Sequence, residues 1–120
     1  MSDNSEIFRI EKRLREVAKH LEKLAPMVGV AKQVREYDSD RRKNCLAKYI
    51  IPGLKQDFSA AASETMARAN PAYITEFDGL SKQRSDCEAT IAEWDALFAQ
   101  LDALRSLLSM QKETMKTLDG

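Results

Sequence analysis

A chain of 120 residues and 13.6 kDa has room for one hydrophobic core, and 32% charged and 43% hydrophobic residues with only four glycines and three prolines exclude a collagen-like or Pro/Gly-rich disordered protein. Nineteen basic and nineteen acidic residues leave a formal net charge of zero, which argues against a protein that coats nucleic acid. The polar start Met1-Ser2-Asp3-Asn4-Ser5-Glu6 is unlike a secretory signal, and no run approaches the roughly 18 apolar residues of a membrane span. A cytoplasmic protein without membrane contact is expected.

Ile7, Ile10, Leu14, Val17, Leu21 and Leu24 alternate steps of three and four, which predicts a first amphipathic helix over about 5–25. Asp3 with Glu6, or Ser5 alone, offers a cap for it. Pro26 removes a backbone donor and Gly29 follows, so the helix is expected to end near Leu24. Val28 nevertheless continues the same spacing across the proline, which leaves a single kinked helix as the alternative.

A second helix is predicted over about 29–51, carrying Val34, Tyr37, Cys45, Leu46 and Tyr49. Pro52-Gly53 breaks it before a third piece over 53–69. Asn70-Pro71 reads as an N-cap followed by proline at the first helical position. From there a helix is predicted to about 118, on the order of 70 Å long at 1.5 Å per residue. A later start at the capping box of Ser85 to Glu88 is the alternative. Leu80, Cys87, Trp94, Leu101, Leu108 and Met115 recur every seventh residue of this last helix, the mark of a coiled-coil seam.

These elements predict an all-α fold, an elongated antiparallel helical bundle or coiled coil of three to four segments, in a single domain over 1–120. With a reversal at Asn70, the first helix folds back beside Trp94 to Leu118 as a third strand. The region near Phe58 and Phe77 is left with two helices and is the expected place of self-association. Residues 1–60 hold 13 basic and nine acidic residues and residues 61–120 hold six and ten, so the two halves should attract, within one chain or between chains.

No chemical motif emerges. Cys45 and Cys87 have neither metal nor redox spacing, His20 is the only histidine and is read as an ion-pair partner of Glu16, and there is no nucleophile elbow or phosphate loop. No enzyme, cofactor, metal or small-molecule substrate is expected. Arg41, Arg42 and Lys43, with Arg9, Lys12 and Arg13, form the candidate partner-binding face, Arg41 standing where the spacing after Tyr37 asks for an apolar residue. Phe58, Phe77, Leu80, Arg84, Cys87 and Trp94 form the candidate self-association seam, in which Arg84 would need a carboxylate such as Asp57. The function expected is a non-enzymatic interaction or assembly module that self-associates or binds a protein partner through the heptad seam. The alternatives are a small regulatory or inhibitory subunit that engages nucleic acid or a nucleic-acid enzyme through the basic face, and a cytoplasmic chaperone for an amphipathic export segment.

Overall fold

The computed structural model describes the backbone of residues 2–119 and the side chains of residues 4–118. Among them the fold is all-α: α1 (Ser2–Lys55), α2 (Ala60–Ala69) and α3 (Pro71–Asp119), with no strand. The separate helices expected over 5–25 and 29–51 are one helix. An interior proline costs about 3 kcal/mol, but Leu21 and Leu24 before Pro26 and Val28 and Ala31 after it are all buried on one stripe, and Pro26 itself is exposed on the opposite face. Burying each such side chain contributes about 1.5–3 kcal/mol, so the stripe outweighs the lost hydrogen bond. Ser5 lies inside α1 instead of capping it, and the Asp3 side chain is outside the described residues.

Pro52-Gly53 does not end α1 either. The helix runs on to Lys55 and is closed where Phe58 N donates to Gly53 O and Asp57 N to Leu54 O, both at 3.1 Å. This is a Schellman closure with Asp57 in the left-handed conformation (φ 64°) where glycine is usual. Ser59 then caps α2, its side chain accepting from Ala62 N at 3.1 Å. Asn70 accepts from Ala72 N at 2.9 Å and Pro71 opens α3, as its sequence predicts.

The chain divides into two compact units, Met1–Val28 with Thr90–Gly120 and Gly29–Ala89. In the first, Val17, Leu21, Leu24 and Val28 of α1 pack with Leu97 and Leu101 of α3, and Leu14, Trp94 and Leu104 close over them. Only two helices meet here: the expected third strand is the beginning of α1 itself. In the second, α1 and α3 are joined by α2, so the neighbourhood of Phe58 and Phe77 holds three helical pieces and not two. The small side chains of α2 allow that approach. Ser63, 1% exposed, lies so near the α1 backbone that a Cβ on Gly53 would stand 2.7 Å from Ser63 Oγ.

Candidate interaction surface

In the unit Gly29–Ala89 the heptad stripe of α1 turns polar. Seven-residue steps from Leu14, Leu21 and Val28 lead to Arg35, Arg42 and Tyr49, and steps from Leu24 and Ala31 lead to Asp38 and Cys45. Asp38, with its side chain only 14% exposed, accepts from Arg42 Nε at 2.9 Å and pairs with Arg84 Nη1 at 3.1 Å. Arg84 also reaches Glu88 at 2.9 Å, and Arg35 grips the same carboxylate with two nitrogens at 2.5 and 2.7 Å. Arg42 lies 4.8 Å over the Phe77 ring. Asp57, expected as the partner of Arg84, belongs to the turn after α1.

The next layer is mixed. Cys45 Sγ donates to Glu76 at 3.5 Å, Lys48 holds the same carboxylate at 2.8 Å, and Tyr49 stacks edge-on against Tyr73 with centroids 5.8 Å apart. Burial, and then the Glu76 carboxylate, push the Cys45 thiol up from its ordinary range, so the thiolate is disfavoured. A hydrogen bond from Lys48 holds the Glu76 carboxyl below its ordinary range.

Glu88 is lowered further, to about 2, first by the Arg35 hydrogen bond and then by Arg84. A carboxyl lower in the folded chain than in the unfolded one stabilises the fold above its ordinary value near 4.5, and that contribution is lost as pH falls toward 2. Urea midpoints should therefore decline between about pH 5 and pH 2, and Glu88→Gln should flatten the decline. Parallel pH profiles for the two proteins would refute the assignment.

The basic face expected from the sequence is largely engaged. Arg42 is in the polar layer, Arg41 Nη1 donates to Gln83 at 3.2 Å, Arg9 pairs with Glu6 at 3.7 Å, and Arg13 pairs with Glu16 at 3.2 Å. With the Gln100 amide oriented so that its oxygen faces Arg13, that guanidinium also donates across to α3 at 2.8 and 3.1 Å. His20 pairs with Glu93 at 3.0 Å, not with Glu16. Lys12 and Lys43 have no ion-pair partner among the described residues, and neither do Arg15 and Lys19, which sequence reasoning passed over.

The expected seam residues fall into four settings. Phe77 and Leu80 are half-buried, and Arg84 is tied into the polar layer. Cys87 is half-buried with a free thiol, and Trp94 packs on the core, edge-on to Phe98 at 4.9 Å. Phe58 is exposed, as are Ile51, Leu54, Met66 and Ile74 in the same unit. Among the described residues no helix is long and apolar enough to cross a membrane, and no His/Cys/Asp/Glu group is placed to hold a metal ion. No known protein-family model, curated protein or solved structure matches this chain.

Proposed function

We propose that this chain is a non-catalytic helical assembly module that self-associates. The observation that carries this reading is the apolar surface left outside a seam that the chain's own helices fill. Thirteen large hydrophobic side chains are exposed among the described residues, from Phe8 at 64% near the start of α1 to Leu118 at 69% near the end of α3, while Val17, Leu21, Leu24, Val28, Leu97 and Leu101 of the seam are buried. Single exposed apolar residues are ordinary, but this many on a two- to three-helix scaffold is surface suited to another helical layer.

The charged groups support a structural role. The Glu88 carboxyl is held as an anion by arginine far below the pH at which a general acid works, and the Cys45 thiol is kept protonated by burial. The engagement of Arg41 and Arg42 also shortens the basic face on which nucleic-acid binding would rest.

Absolute mass by light scattering after size exclusion tests the proposal. Two or more chains of 13.6 kDa are expected at low and high salt, because apolar burial is not screened. A single 13.6 kDa chain at both salts, up to the solubility limit, overturns it.

A further inference from the structure

In the unit Met1–Val28 with Thr90–Gly120, Phe8, Lys12, Arg15 and Lys19 are exposed on one face of α1 at steps of four, three and four. They enclose a shallow groove of about 380 Å³ with Glu16. This basic face points away from α3. Lys12 stands two residues from both Ile10 and Leu14, and Lys19 two residues from both Val17 and Leu21, which at about 100° per residue is roughly half a turn from the inward stripe. The far side of α3 is acidic. Asp95, Ala99, Asp102 and Ser106 are exposed there at the same steps, with Ala99 two residues from both Leu97 and Leu101 of the seam. The unit thus carries a basic edge on α1 and an acidic edge on α3, on opposite sides of the seam.

Within one chain these edges cannot meet, and their charges are left without each other. Lys12, Arg15, Lys19 and Asp95 have no ion-pair partner among the described residues, and Asp102 has only Arg105 at 4.0 Å. The edges nevertheless match in height. Arg13 to Gln100 and His20 to Glu93 tie α1 to α3 along one flank of the seam. With Arg13 level with Gln100 and His20 with Glu93, Lys12 and Lys19 stand within one residue, about 1.5 Å along the axis, of Asp102 and Asp95. The same offset sets Arg15 beside Ala99 and Phe8 beside Ser106, a long side chain opposite a small one in each case.

Complementary faces on opposite edges cannot pair across a two-fold axis, but they meet when the next copy is displaced sideways. A sideways displacement keeps all heights unchanged and sets α1 of one copy antiparallel to α3 of its neighbour. We propose that copies of this chain associate head to tail in that way, Lys12 and Lys19 of one copy pairing with Asp102 and Asp95 of the next. Each added copy leaves one basic and one acidic edge free at the ends, so the contact repeats beyond two chains, as an open row or, where the rotation per copy closes, a ring. The inference rests on the self-association proposed above and adds its faces, register and heterologous symmetry. Glutamates interleaved with the cations, Glu11, Glu16 and Glu22, disfavour a uniform polyanion in the same place.

The test combines assembly size with a charge swap, both read by sedimentation equilibrium at low salt. The original chain should form species of more than two copies. Lys12→Glu with Lys19→Glu, and separately Asp95→Lys with Asp102→Lys, should each weaken association by about tenfold or more, because like charges then face each other at every contact. Mixing the two variants one to one should restore association to near the original strength, since each contact between unlike variants again sets lysine against acid. All four positions are exposed, and circular dichroism checks that helicity is unchanged. An original chain that stops at two copies, swapped variants that associate like it, or a mixture that fails to recover overturns the head-to-tail contact while leaving self-association standing. A strictly monomeric original chain overturns both.

Discussion

Replacing Gly53 by alanine is expected to destabilise the protein by about 2 kcal/mol, although alanine is the better helix former. The new Cβ would stand 2.7 Å from Ser63 Oγ, 2.9 Å from Ser63 Cβ and 3.2 Å from Ser63 Cα. The hydroxyl could rotate away, but the other two atoms move only with α2. A ten-residue helix has little stability of its own, so strain at this contact should undock α2 before it disturbs the rest. The other two helical glycines supply the control: a Cβ on Gly29 or Gly79 meets nothing within 4 Å. Gly29→Ala and Gly79→Ala should each stabilise by up to about 1 kcal/mol. The same substitution thus has opposite signs at positions of the same secondary structure, measurable as shifts in urea midpoint. Ser63 sharpens the argument because its buried hydroxyl lacks a hydrogen-bond partner. Combining Gly53→Ala with Ser63→Gly removes two of the three clashing atoms and should recover part of the loss in a double-mutant cycle. A Gly53→Ala protein as stable as Gly29→Ala would show that α2 does not sit against α1 this closely.

The helical class, the start of α3 at Pro71 and the seam through Trp94 and Leu101 were legible because each is a local or periodic property. Pro26 was misread as an end because a breaker is a local penalty, whereas the burial that overrides it comes from α3, distant in sequence. Val28 carried the correct signal. Extending its seven-residue phase reaches Arg35 and Arg42, which identifies Arg42, and not Arg41, as the charged residue in the seam, and brings in Arg35, which the reading of the polar cluster omitted. The closeness of Gly53 to Ser63 had no counterpart in the sequence beyond a Pro-Gly pair that resembles a turn. The partner of Arg84 was out of reach for a different reason: it depends on register, and a reversal placed at Asn70 alone leaves out the turn around Asp57 that sets α2 apart from α1, which slides the helices past each other.

Asp38→Ala is expected to cost about 2 kcal/mol, less than the 3–5 of a fully buried pair because both arginines it serves remain about one-third exposed. The loss comes from what is left behind. Arg42 and Arg84 converge on one carboxylate, so its removal leaves Arg42 without an ion pair beside Arg84, whose remaining partner Glu88 is shared with Arg35. Neutralising the whole cluster should behave differently. With Asp38, Arg42 and Arg84 all replaced by leucine, no charge is stranded and between Ala31 and Cys45 only Arg35, still paired with Glu88, interrupts the apolar seam, so stability should return to at least its original level. What the triple variant should lose is register. In that stripe a seven-residue slide of α1 along α3 places leucine opposite leucine again and gives up only the part-exposed Arg35–Glu88 pair, whereas in the natural chain it would also strand Asp38 and Arg84 away from each other. Amide spectra of the triple variant should therefore show broadened or doubled resonances around residues 31–45 despite a higher unfolding midpoint. A triple variant both less stable and singly folded would mean that the polar layer holds the helices together by its own energy and not by excluding other alignments.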